Sequence, residues 1–331
     1  MVGSIPGMKS VETIVGVDFA GPARERDQRK KIIAVHAAIE GWQQYCISLD
    51  DFNQRLLLPS PGWTLRELSE ELVNHPARIA GLDFPFSIPS PLLRDEQFAL
   101  AGGYERGAFN RWRSFNWHVA WLLRYQGMDV VRSSFWPRDG MLDFSRFSAW
   151  RRKDYWLKRS TDHFTCAHPP LKDRFQSLFQ MTLAGNVLLD HLGTNGKYRI
   201  VPLWAPEGYA SEAIEVYPGL VMRQLALPNY KSQPEMALRR LLGHLHAKGI
   251  KVAIAPEIVG RCLNYNSSGS GKHPDHDVAD ALVALGTAIL YRAGHCSPAV
   301  EGSRRENHTY NEGVIWGLKN VPVSVGRKRA G

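Results

Sequence analysis

Five acidic residues in this chain sit where acids are expensive. Asp18 lies near the end of the apolar run Ile14-Val15-Gly16-Val17-Asp18-Phe19, and Asp83 near the end of Ile79-Ala80-Gly81-Leu82-Asp83-Phe84. Glu215 interrupts Ala213-Ile214-Glu215-Val216-Tyr217, and Asp277 with Asp280 opens the apolar segment from Val278 to Tyr291. A carboxylate in a buried strand costs free energy unless something neutralises it. Spread over most of the chain, these charges point to one shared compensator, a hard cation. Carboxylates without clustered Cys or His suit Mg²⁺ or Mn²⁺ better than zinc. Two such ions about 4 Å apart would activate a water and stabilise the leaving oxygen of a phosphodiester.

Asp18 and Asp83 stand near the carboxyl ends of predicted strands, where ligands collect in open α/β sheets. Either alone could be a turn-capping Asp; the near-duplicate phrases Gly-Val-Asp-Phe and Gly-Leu-Asp-Phe favour a joint role. The alternation around Glu215 leaves open whether it faces solvent. Asp277 and Asp280, three apart at a helix start, share one face, and the amide-rich N-terminus favours negative charge there. First-turn acids are ordinary, but Asp280 precedes the core-like run Ala281-Leu282-Val283-Ala284-Leu285. His273 and His276 flank the pair and could assist a leaving group. Ser268-Gly269-Ser270-Gly271-Lys272-His273 lacks the GxxxxGK[ST] spacing of a phosphate-binding loop and reads as a flexible loop.

The elements that must position these residues are legible from periodicity. Strands are expected over 11–18, 32–39 and 44–49 as a meander with its turn at Glu40-Gly41, then over 78–84, 198–204, 212–217 and 251–255, with a last one over 312–317. Thr64-Leu65-Arg66-Glu67 is a capping box for a helix with Leu65, Leu68 and Leu72 inward, stopped near Pro76. Further helices are expected over 175–192, 235–248, with Leu238, Leu241, Leu242 and Leu245 inward, and 274–293. Strands first in a meander and then alternating with helices predict an α/β domain with a mixed sheet. The expected organisation is a core over 11–86 and 195–317, a long Arg/Trp-rich helical insertion over 87–194, and a basic tail over 318–331.

The 331 residues are 44% hydrophobic and 22% charged, as in a soluble globular protein. No apolar stretch approaches the roughly 20 residues of a membrane helix. Lys9 is not followed by a long apolar region, so no secretory signal is expected and a cytoplasmic location follows. Cys46, Cys166, Cys262 and Cys296 form no CxxC pair, which argues against a structural zinc or a disulfide framework. The net charge of +9 is concentrated: residues 104–160 hold 12 Arg or Lys against 5 Asp or Glu, and six of the ten tryptophans. Positive charge interleaved with flat aromatics suits single-stranded nucleic acid. Arg111, Trp112, Arg113 and Arg152 are the candidate nucleic-acid contacts; the alternative is an insertion whose tryptophans form its own core.

Taken together, Gly16-Val17-Asp18-Phe19-Ala20-Gly21, Gly81-Leu82-Asp83-Phe84-Pro85, Glu215-Val216-Tyr217-Pro218, His276-Asp277-Val278-Ala279-Asp280-Ala281-Leu282 and Glu312-Gly313-Val314-Ile315 resemble the motifs of a family of predicted RNase H-like nucleases (domain of unknown function 429). The helix motif is also similar to the last acidic motif of RuvC-type Holliday-junction resolvases. The resemblance spans residues 11–317 without the insertion. It implies an RNase H-like mixed sheet flanked by helices, in which a central first strand presents Asp18. Asp83 would lie on the neighbouring parallel strand, with the helix of Asp277 and Asp280 across the end, and Glu215 at a matching position of open role. The expected activity is two-metal-ion hydrolysis of a nucleic acid, DNA or RNA. Asp18 would bridge the ions, Asp83 and Asp280 complete their sites, and Asp277 bind or orient. The alternatives are a non-catalytic nucleic-acid-binding protein on this fold and an actin-like small-molecule phosphotransferase. The latter is suggested by Gly16-Val17-Asp18, but its second Gly-rich phosphate loop is not found.

Overall fold

The three apolar runs at the head of the chain form an antiparallel meander, β1 (Thr13–Phe19), β2 (Ile32–Gly41) and β3 (Gln44–Leu49). The computed structural model describes residues 12–19, 25–29, 31–41, 43–49, 62–90, 93, 111–126, 158–170, 176–256, 258–259, 276–299 and 312–321. A short helix, α1 (Glu25–Gln28), stands between β1 and β2. The turn after β2 lies later than Glu40-Gly41, because the strand continues through Gly41 and Gln43 takes the left-handed backbone (φ +57°). Helix α2 (Leu65–Asn74) begins on the expected capping box. The Glu67 amide donates to Thr64 Oγ1 at 3.1 Å and the Thr64 amide to Glu67 Oε2 at 2.9 Å. Such a cap contributes about 1 kcal/mol.

Strand β4 (Ile79–Asp83) pairs in parallel with β1, and β6 (Ser211–Val216) in parallel with β4. The far edge of β6 is shared: β5 (Tyr198–Val201) pairs with Ser211 to Ile214, and β9 (Ile315–Leu318) with Glu215 and Val216. Both of these strands are shorter than expected, and Trp204 turns back to bridge Ile200. β7 (Lys251–Ile254) extends the other edge beside β3, and an unforeseen β8 (Cys296–Pro298) pairs with β9. The sheet order is β7-β3-β2-β1-β4-β6-β9-β8, so β1 and β4 lie in its interior.

Helices cover both faces. On one, α8 (His276–Arg292) lies along β1, β2 and β4, with α6 (Pro218–Gln224) and α7 (Pro234–Ala247) against it. Every α8 residue from 278 to 290 is buried, as a helix that is apolar all round must be. On the other face lie α2, α3 (Arg111–Gln126) and α5 (Gln176–Thr194). Ala184, Leu188, Leu189 and Leu192 of α5 and Trp112 of α3 share one core with Val15, Val17 and Leu82 of the sheet. Within the expected insertion over 87–194, α3 and α5 therefore pack directly on the sheet. α4 (Ser160–Thr165) packs by β9. Among the described residues no helix is long and apolar enough to cross a membrane. Of the expected basic tail, residues 322–331 lie outside the described residues.

Candidate metal centre

Pairing in register makes Asp18 and Asp83 direct neighbours across β1 and β4, and Gly16 and Gly81 neighbours two residues earlier. With a side-chain period of two, all four lie on the face that α8 covers. The glycines bring the helix down. A Cβ on Gly16 would stand 2.2 Å from the Leu285 amide nitrogen, and one on Gly81 2.7 Å from the Ala284 carbonyl oxygen. The duplicated Gly-x-Asp phrase is thus one device used twice: the glycine lets backbone meet backbone, and the aspartate meets the first turns of the helix. Asp280 arrives there, and Asp18, Asp83 and Asp280 each place a carboxylate oxygen within 4.8 Å of the others.

Like charges at that range, largely withdrawn from water, resist ionisation together. Burial, then Asp280, Asp83 and Asp277, push the Asp18 carboxyl well above the usual carboxylate range, and Lys231 pulls back only part of the way. Burial and Asp280 do the same to Asp83, again against Lys231. Asp18 is 8% exposed and accepts no hydrogen bond from a described residue. Asp280, 2% exposed, is held instead: the buried Tyr230 hydroxyl donates to its Oδ1, and Lys231 Nζ stands 2.6 Å from its Oδ2. Asp277, partly exposed in the first turn of α8, pairs with Lys31 Nζ at 3.2 Å. It bears on the cluster by charge and is not one of the three converging ligands. Tyr230 and Lys231 come from a 3₁₀ turn (Tyr230–Ser232) that sequence reasoning missed, lying some fifty residues before their partner.

Glu215 is not at this centre. Its register partner is Leu82, so it points to the opposite face of the sheet from Asp83. There, 2% exposed, it answers Arg159 with Oε1 at 2.5 Å and Oε2 at 2.7 Å, and accepts from the Phe86 amide at 3.1 Å. Arg159 also binds Asp162, at 2.8 Å and 3.0 Å, and the Glu312 carbonyl at 3.2 Å. The Glu312 carboxylate accepts from the Ser90 and Ser160 amides at 2.7 Å and 2.9 Å. Gly313, at φ +72°, makes the left-handed turn that puts Glu312 there, with Glu215 Oε2 3.2 Å from where a Cβ would be. Glu215 thus ties the chain after β4 to α4 and is not among the three converging carboxylates. Burial pushes its carboxyl upward, partly offset by Arg159.

The described residues expected to contact nucleic acid lie away from this centre. Trp112 is a core side chain with no exposure, its Nε1 donating to the Phe86 carbonyl at 2.7 Å, so it has no face to offer a base. Arg111 is partly buried, and the exposed Arg113 lies over the Trp204 ring at 4.3 Å. Among the described side chains, the exposed aromatics of α3 are Trp117 (59%) and Trp121 (40%), on the helix face opposite Trp112. All of these lie in the layer across the sheet from α8 and are not brought to the carboxylates. Arg152 and His273 lie outside the described residues, as does the side chain of His276.

Three convergent hard oxygen donors, one of them buried with no hydrogen-bond donor among the described residues, fit a divalent cation. No protein-family model, curated protein or solved structure matches this chain.

Proposed function

We propose that this chain is a divalent-metal-dependent nuclease of RNase H-like architecture that hydrolyses phosphodiester bonds. The observation that carries the reading is the meeting of Asp18, Asp83 and Asp280, from segments far apart in sequence, with their oxygens within 4.8 Å. An interior β1 presenting Asp18, a parallel β4 presenting Asp83, and α8 laying Asp280 across them match what the family resemblance implies. The net charge of +9 favours a polyanionic substrate.

Mg²⁺ or Mn²⁺ would be held by Asp18 and Asp83 with Asp280 beside them. Such an ion supplies Lewis acidity toward a phosphoryl oxygen and makes water a better nucleophile near neutral pH. The chain's own part is positioning. Gly16 and Gly81 fix the depth of α8, Tyr230 and Lys231 fix the Asp280 rotamer, and Lys31 orients Asp277 at the rim. Preorganised, poorly hydrated carboxylates gain more from a cation than exposed ones do, because burial has already removed their water.

The test is cleavage of labelled single- and double-stranded DNA and RNA with Mn²⁺ or Mg²⁺ against EDTA. At least one substrate is cut with metal and none without. Asp83→Asn lowers the rate by at least roughly a hundredfold, the upper range for losing even an outer partner of a metal site. Salt-sensitive binding without turnover under any divalent ion would identify a non-catalytic binding protein instead.

A further inference from the structure

We infer that Lys231 is the second cation of this centre, so that the cluster takes one divalent ion where two were expected from sequence. The inference rests on the metal-dependent reading above and narrows it. The Lys231 ammonium stands 2.6 Å from Asp280 Oδ2, and its charge acts on Asp18 and Asp83 as well. Its place is fixed by its neighbour: Tyr230, 4% exposed, packs in the α8-side core and donates to the other oxygen of the same carboxylate. Both Asp280 oxygens are therefore engaged by one 3₁₀ turn, while Asp18 has no such partner among the described residues. Of the three aspartates, two are left to bind an ion and the third is bound to an ammonium.

Charge counting agrees. With Asp277 offset by Lys31, three carboxylates against the Lys231 ammonium leave two negative charges, which a single divalent ion cancels. A second ion would have to displace Lys231 or crowd an uncompensated cation against it. A two-ion centre uses its ions on the attacking and leaving oxygens of the phosphodiester. Here the Lys231 side chain is 57% exposed and gives Asp280 one of three N–H donors, leaving others for a non-bridging or leaving oxygen. The site is thus an asymmetric pair, a divalent ion over Asp18 and Asp83 and an ammonium over Asp280, suited to a phosphodiester.

Calorimetric titration of the full chain with Mn²⁺, with Mn²⁺ electron paramagnetic resonance as a second count, tests this without reference to activity. Wild type and Lys231→Arg bind one ion per chain. Lys231→Ala and Lys231→Met bind that ion roughly tenfold or more tightly, or take a second, because a repelling charge a few ångströms away is gone. Cleavage by these two variants falls while their metal affinity rises, a split that a merely structural lysine would not produce. Two ions on wild type overturn the inference and leave the metal-dependent reading standing. An unchanged count and affinity in Lys231→Ala and Lys231→Met overturn it as well. No ion on wild type removes both.

Discussion

Asp18→Asn raises the melting temperature of the metal-free protein at neutral pH and abolishes its response to Mn²⁺. The sign follows from the cluster. The folded-state pKa of Asp18 lies well above its ordinary value, chiefly through burial and then through Asp280 and Asp83. Its contribution to stability is therefore fully present below about pH 4, the ordinary aspartate value, and is lost as pH rises through the folded-state pKa. Across that interval each pH unit costs about 1.4 kcal/mol per carboxylate. In EDTA the wild type loses stability as pH climbs from about 4, and the Asn variant, isosteric and uncharged, is flatter. Since about 1 kcal/mol moves the Tm of a large domain by roughly 2 °C, scanning calorimetry resolves the difference. Mn²⁺ at a hundredfold excess over its Kd returns about 2.7 kcal/mol to the wild type and none to the variant. A lower Tm for Asp18→Asn in EDTA at neutral pH would mean that the charge is compensated within the fold, and the cation would lose its rationale.

Arg159→Met has the largest expected effect on folding. Arg159, 1% exposed, is the common partner of Asp162 and Glu215, and removing it strands two carboxylates in the core. Breaking a buried pair from one side costs about 3–5 kcal/mol, whereas removing both sides costs far less. Urea denaturation is expected to give a loss in that range for Arg159→Met. Part of it returns in the double variant Arg159→Met with Glu215→Gln, which removes one stranded charge. The Mn²⁺ stoichiometry of the surviving folded protein is unchanged, because Glu215 faces away from the Asp18 cluster. A loss below about 1 kcal/mol would show the network to be replaceable by solvent.

The divide between what the sequence made legible and what it hid has physical causes. Gly-Val-Asp-Phe and Gly-Leu-Asp-Phe stood out because period two puts each Gly and Asp on one face, and both phrases meet the same helix. The capping box at Thr64 was readable because all its bonds span three residues. Glu215 could not be placed from alternation alone: its parity relative to Asp83 depends on the register of β4 against β6, a long-range fact. Tyr230 and Lys231 sit in a short polar turn with no periodic pattern, and their meaning comes only from Asp280 far along the chain. Arg159 was lost among the arginines of a segment read for net charge, although a buried Arg is told apart only by its partners. For Trp112 composition leaves two readings open, a nucleic-acid contact or a core side chain. Its helical spacing to Phe115, Asn116 and Val119, all buried, carried the correct signal, with Trp117 and Trp121 on the other face.

The central claim is that Asp18 and Asp83, meeting beside Asp280, hold a divalent ion. Crystals grown in Mn²⁺ and measured at the manganese absorption edge test it most directly. The account predicts an anomalous peak coordinated by Asp18 and Asp83, beside Asp280. Three carboxylates bridged to one another by protons, with manganese nowhere near them at saturating concentration, would contradict it.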